Sequence, residues 1–323
     1  MDKPLDLAYK GSLAADALSM PVHWYYDRAA LDRDFPDFQS YEKPKAKHPD
    51  SILWRSSYNA VNDKADILKE QAIYWGKRDI HYHQFLEAGE NTVNFKLARE
   101  LHDFVISNSD YDVETWAERY VECMLTPGFH HDTYVEEYHR AFFTHYAQGR
   151  SLQKCGIDDE HIGGLSQVPA LVASLSEIGV NDLKDLIEIA RYHVLLTHQN
   201  KMVIKAAETL VMLLHAISLG TPLRNALAEV ANDSFSAKQA EQWSSYPDRI
   251  VIGKKLSTAC YIKDAFPASL YLCWKYHNDF DAGIINNALV GGDNCHRGSV
   301  VGSLIACSIK MINPKWLSLK QPV

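Results

Sequence analysis

Apolar residues recur at helical spacing along almost the whole of this chain, and the strict alternation that marks a strand is almost absent. Leu7, Ala8, Leu13, Ala14, Ala17 and Leu18 define one such stretch, and Val93, Leu97, Leu101, Phe104 and Val105 fall on one face of another. Residues 182–196, 201–219, 264–277 and 299–311 read the same way. Thr133-Tyr134-Val135-Glu136 has the form of a capping box, with Glu136 and Arg140 set to pair at i,i+4. A chain patterned in this way buries its apolar stripes by packing helix on helix. Breaks fall at Pro127-Gly128, Gly163-Gly164, Gly220-Thr221-Pro222 and Gly291-Gly292. With no internal repeat and no low-complexity linker, residues 1–323 read as one all-α domain.

The length of 323 residues is enough to bury a sizeable core. A net charge of −8 weighs against a nucleic-acid or membrane-surface partner. The most apolar stretch, Met202 to Leu219, is interrupted by Lys205, Glu208 and His215, so it reads as a buried helix rather than a membrane span. The polar start, Met1 to Asp6, does not resemble a signal peptide. Six scattered cysteines without a CxxC pair fit free thiols, and a cytoplasmic protein is expected. Tyr25 to Tyr58, with Pro36, Pro44, Pro49 and many charges, reads as a long surface excursion over the core and a candidate lid.

Six polar clusters interrupt the helical pattern. Gly291-Gly292-Asp293-Asn294-Cys295-His296-Arg297-Gly298 brackets an acid, a thiol and an imidazole with glycines, and a small apolar run follows. It is either a tight turn that starts a buried helix or a loop presenting reactive groups beside a helix N-terminus, where anions and thiolates are favoured. Near the start, Asp16 lies among small residues and His23 follows a proline turn. Glu87-Ala88-Gly89-Glu90-Asn91-Thr92 precedes the helix from Val93, a place where capping is the ordinary role. Phe129-His130-His131-Asp132-Thr133-Tyr134, Asp158-Asp159-Glu160-His161-Ile162-Gly163-Gly164 and Leu196-Thr197-His198-Gln199-Asn200 complete the set. Neither HxxxH nor HExxH occurs, so no pair of imidazoles has a standard metal spacing on one helical face.

Taken in order, these segments resemble the ADP-ribosylglycohydrolase family, which includes the J1 crystallins, over nearly the whole chain. The family's opening GxxxGDAxGxPxE pattern is similar to Gly11 through Asp16-Ala17 to Pro21 and His23. Its mid-chain glycine-rich segment resembles Gly163 to Leu171, and its Thr-His pair before an alanine-rich helix resembles Thr197-His198. Its terminal GGDTDT element resembles Gly291 to His296. The resemblance implies an all-α orthogonal bundle and a pocket for an ADP-ribose-like small molecule. It places Asp16, Asn91, His161, Gly163, Gly164, Thr197, His198 and Asn294 against the substrate.

Usual members of the family hold two Mg²⁺ ions between a Thr-Asp-Asp element and an Asp-x-Asp-Thr element, and the ions help cleave a bond at the ribose C1″. Here Gly89-Glu90-Asn91 stands for the first element. In the second, Asp293 is kept while Cys295 and His296 replace an acid and a threonine, and His23 replaces the acid after the proline turn. Asp293 and Glu90 are left as carboxylates for at most a single, weakly held Mg²⁺. Three readings follow. The first is a hydrolase acting on a ribosyl, nucleotide or other polar substrate, with Cys295 as nucleophile, His23 or His296 as base, and Asp293 or Glu90 orienting the imidazole. The second is a single Zn²⁺ site built from Cys, His and Asp. The third is a catalytically silent binding or crystallin-like protein.

Overall fold

The computed structural model describes residues 3–231 and 233–320. Its helices are α1 (Pro4–Ser19), α2 (Arg28–Asp34), α3 (Val93–Asn108), α4 (Val113–Leu125), α5 (Glu137–Ala147), α6 (Val168–Glu177) and α7 (Leu183–Leu195). The second half adds α8 (Lys201–Ser218), α9 (Leu223–Val230), α10 (Ala237–Trp243), α11 (Asp248–Ile250), α12 (Ile262–Lys275), α13 (Phe280–Val290) and α14 (Asn294–Ile309). Among the described residues there is no strand, only isolated bridges such as Ile157 to His198 and His161 to Tyr261. The all-α expectation holds. No described helix is long and apolar enough to cross a membrane.

Helix starts follow the side chains that can accept from orphan amides. Asp27 caps α2, Asp112 caps α4, Asp182 caps α7, Asn200 caps α8 and Asp279 caps α13. The capping box read at Thr133–Glu136 is not one. Helix α5 begins at Glu137, the Glu136 side chain caps nothing, and Arg140 donates to the Val135 carbonyl instead of pairing with Glu136. Burial explains the difference: Glu136 is turned inward, where its carboxylate meets His296.

The centre of the fold is the antiparallel pair α1 and α14. Every residue of α14 from Asn294 to Cys307 is buried, and α13, α12 and α8 pack around it. The two helices touch backbone to backbone. A Cβ on Gly302 would stand 2.2 Å from the Gly11 carbonyl oxygen, and one on Gly11 would stand 2.4 Å from that of Gly302. This approach brings the end of α1 beside the start of α14, so that His23 and Asp293 share one end of the core. Helix α14 starts five residues earlier than its apolar run suggests, because Asp293 accepts from the His296 amide and initiates it. The Tyr25–Tyr58 excursion carries α2 and crosses the same end; Asp50 holds it by accepting from the amides of Tyr26 and Asp27.

Candidate functional site

A 3₁₀ turn over Met20–Val22 follows α1 and delivers His23. Trp24 next to it has φ 62°, a left-handed conformation unusual for a bulky residue. That geometry lets the Trp24 amide donate to Gly292 O at 2.8 Å, while the Gly292 amide donates to Tyr25 O at 2.8 Å. Gly291 and Gly292, at φ 78° and 66°, make the approach possible. A Cβ on Gly291 would lie 2.3 Å from Tyr25 O, and one on Gly292 would lie 2.1 Å from Thr258 O. Arg297, fully buried, secures the turn from behind by donating to Asn287 Oδ1, Asn287 O and Gly291 O.

Asp293 is the hub of the arrangement. Its carboxylate is fully buried, and Oδ1 accepts from His296 Nδ1 at 2.7 Å and His23 Nε2 at 3.1 Å. His161 Nε2 stands 3.3 Å from Oδ2, which forms no hydrogen bond. Burial pushes the Asp293 carboxyl up, but the surrounding imidazoles outweigh it and hold the group well below the usual carboxylate range. His296 shows the converse: burial pulls it down, yet Asp293 and Glu136 raise it to about 9. His296 therefore joins two acids, with Nδ1 on Asp293 and Nε2 at 3.4 Å from Glu136 Oε1. Asn94 Nδ2 lies 3.1 Å from the same Nε2, and Asn94 Oδ1 accepts from Tyr138 and His139.

Burial holds His23 neutral, lowering it to about 3. Its Nε2–H donates to Asp293, so its Nδ1 accepts from His83 Nε2 at 2.8 Å; His83 Nδ1 in turn faces Asp132 Oδ1 at 2.7 Å. His161 is fixed by one backbone amide. Gly163 N–H donates to its Nδ1 at 2.9 Å, and burial lowers the ring to about 4. A neutral ring that accepts at Nδ1 carries its proton on Nε2.

This proton arrangement does not fit a metal. By spacing alone, His23, Asp293 and His296, or His161, Cys260 and Asp293, stand close enough to surround an ion. The imidazoles, however, present N–H groups to Asp293 rather than lone pairs, and His161 cannot ligate through Nε2 while Nδ1 accepts from Gly163. Glu90, the other carboxylate considered for Mg²⁺, accepts from Lys96 Nζ at 2.6 Å and from the Glu87 amide. The donor set thus disagrees with the two-Mg²⁺ centre that the resemblance implies, and with a Cys–His–Asp Zn²⁺ site.

A cavity of about 300 Å³ is lined by His161, the neighbour of Asp293. Trp24, Tyr26, Ile52, Tyr82, Tyr134 and Tyr261 form its walls, and Glu136, Glu137, Asp159, His161 and Cys260 add polar groups. Glu136 Oε2 is buried and unpartnered, like Asp293 Oδ2. A larger cavity of about 610 Å³ lies elsewhere, beside Asp248 and Arg249, and both of these charges are already paired. Asp248 accepts from Tyr271, Lys275 and Tyr276, and Arg249 pairs with Asp32.

Of the residues singled out in the sequence, His23, His161, Asp293 and His296 converge. Cys295 does not. Its Sγ packs with Met20 and Leu86, 3.8 Å from Asp16 O, and burial raises its thiol far above the ordinary range. That placement, away from the imidazoles around Asp293, lends the expected nucleophile no support. Glu90 forms an ion pair with Lys96. Asp16 ties α1 to the start of α3, accepting from Asn91 Nδ2 and from the amide and hydroxyl of Thr92. Asn294 binds the Val22 and Ala288 carbonyls and braces the turn. Thr197 and His198 bond each other at 2.9 Å beneath Gly164, whose Cβ would meet Val203 and His198. Gly163 and Gly164 thus serve by close packing around His161 and His198. No sequence pattern points to Asn94, His83 or Cys260 as site residues; Glu136 reads there only as a capping residue, and Asp132 and Tyr134 only as part of a histidine-rich cluster.

The family model for ADP-ribosylglycohydrolase matches residues 8–321. A solved structure described as an ADP-ribosylglycohydrolase-related protein complex is similar to the chain with a TM-score of 0.62 and 18% identity, covering 98% of this chain and 90% of that one. At that identity the likeness speaks for the fold. Comparison with curated protein sequences gives no match. A family match over almost the full length, on an all-α fold shared with that structure, establishes the kinship: the chain belongs to the ADP-ribosylglycohydrolase family.

Proposed function

We propose that this chain is a hydrolase that cleaves a glycosidic bond in a ribosyl or other polar small substrate, using a carboxylate–imidazole centre in place of the family's metal pair. The observation that carries the reading is Asp293 Oδ2: a fully buried, ionised carboxylate oxygen without a hydrogen bond, 3.3 Å from the Nε2 of His161, which lines an aromatic-walled cavity. Such an oxygen stabilises the positive charge that develops at an anomeric carbon and orients the attacking water. Glu136 supplies the second carboxyl that glycoside cleavage needs. Burial raises its affinity for a proton, and Oε2 has no partner within the protein. In this reading the Glu136 proton goes to the leaving atom as the glycosidic bond breaks and that atom takes the electron pair. Water, oriented by Asp293, adds to the carbon and releases its proton to solvent, and Glu136 is reprotonated from solvent through the cavity it lines. His296, touching both acids, holds them in place. His161 Nε2–H holds the substrate or water over Asp293.

The test is release of the free sugar from a panel of ribosides and ADP-ribosyl conjugates. Turnover is expected to survive EDTA and to fall at least a hundredfold in Asp293→Asn and Glu136→Gln. Turnover abolished by EDTA and restored by Mg²⁺ would sink the metal-free centre. Stabilisation by ligand without any turnover would instead favour a silent binding protein, the reading that the loss of carboxylates at the family's ligand positions supports.

A further inference from the structure

We infer that the cavity lined by Glu136 and His161 selects a small organic cation free of phosphate; this rests on the same site as the hydrolase reading and names its ligand class. The walls carry the first part of the argument. Trp24, Tyr82 and Tyr134 meet edge to face, with centroids 4.8, 5.1 and 5.4 Å apart and planes 75°, 88° and 74° from one another. The three rings pack on one another as one aromatic wall of the cavity. An aromatic wall beside carboxylates suits an alkylated or delocalised cation, which the electron-rich ring surface attracts. Tyr26 and Tyr261, exposed by 47% and 52%, extend the aromatic surface to the rim.

Charge carries the second part. Glu136, Glu137 and Asp159 line the cavity, and among the described residues no lysine or arginine does. Burial raises the proton affinity of Asp159, and raises that of Glu136 even with His296 beside it. The two basic groups closest to Asp293 are already committed: His296 bonds to Asp293, and Arg297 is tied to Asn287 and Gly291 behind the turn. A pyrophosphate would enter without a basic partner and against carboxylates, whereas a cation would replace the missing counter-charge.

Choline, its neutral isostere 3,3-dimethylbutanol, and ADP-ribose distinguish these alternatives by calorimetric titration of the full chain. Choline is expected to bind at least tenfold more tightly than either of the others. Two exposed positions keep the test independent of folding. Tyr26→Ala and Glu137→Lys are each expected to weaken choline at least fivefold with the melting temperature unchanged. Equal affinity for choline and its neutral isostere, tighter binding of ADP-ribose, or no effect of either variant would overturn the proposal. Because choline has no glycosidic bond, its binding is scored separately from turnover. Selective choline binding with no riboside cleaved would fail the hydrolase reading alone, and cleavage without cation preference would fail this one alone.

Discussion

A buried imidazole donates or accepts according to what meets its other nitrogen, and around Asp293 three rings are set this way. The Gly163 amide occupies His161 Nδ1, His83 faces His23 Nδ1, and Glu136 and Asn94 meet His296 Nε2. Cys295, one residue from His296, illustrates how sharply a helix separates neighbours: its thiol points into Met20 and Leu86 rather than the cavity. In the native protein at neutral pH, iodoacetamide is therefore expected to reach Cys260 first, since the other five thiols are buried. Peptide mass mapping should find Cys295 alkylated only after unfolding, and native modification at a rate matching Cys260 would contradict its placement. The same comparison shows what single residues disclose in sequence. Asp293 and His23 were legible because each sits in a short glycine- or proline-marked motif. Glu136 was not, because an acid before a helix looks alike whether it turns toward solvent or inward. The His83–Asp132 contact joins residues 49 apart, and no local pattern encodes it.

At the scale of elements, the site depends on how closely α1 and α14 approach. Small residues do this: Gly298 meets Ala15, and Gly302 meets both Gly11 and Ala15. The run from Ser299 to Cys307 was readable as a buried helix from its lack of bulk. Its first turn was not, because Asn294, His296 and Arg297 look like loop residues until their partners across the fold are seen. The prolines and charges of the Tyr25–Tyr58 excursion mark it as irregular, yet it holds the short helix α2 and supplies Tyr26 and Ile52 to the cavity. Gly302→Ala would place a methyl carbon 2.2 Å from Gly11 O, a backbone atom that cannot swing aside. Overpacking of this kind costs about 1–3 kcal/mol and occasionally more. Because α1 leads to His23 and α14 carries Asp293, the substitution is expected both to lower stability in urea unfolding and to impair the site. Unchanged stability would show that the two helices have room the geometry denies.

For the whole molecule, the dominant fact is how many histidines fold without charge. Away from Asp293, burial lowers His48 to about 4 and His193 to about 3, takes His81, His139 and His198 well below their ordinary value, and lowers His130 as well. Each binds a proton more tightly unfolded, near pH 6.5, than folded, so each stabilises the fold fully above pH 6.5 and loses that contribution as pH falls toward its folded value. Six such groups give a slope approaching about 8 kcal/mol per pH unit below 6.5. Asp16, raised to about 6 by burial, opposes this, as do Glu136 and Asp159, because they bind protons more readily folded than unfolded. These three offset only part of the histidine slope. His296, raised to about 9, adds stability that is complete below pH 6.5 and fades as pH rises through 9. A net stability of about 5–15 kcal/mol is then consumed within one to two pH units of 6.5, placing cooperative acid unfolding at about pH 5. Urea unfolding at pH 7.5, 6.5 and 5.5 measures the slope directly. His193→Gln should reduce it by close to one proton, since His193 sits apart from the site with Tyr111 as its hydrogen-bond partner. A stability that stays flat down to pH 4.5 would mean that these imidazoles take up protons in the folded chain, and would remove the physical basis for treating them as neutral.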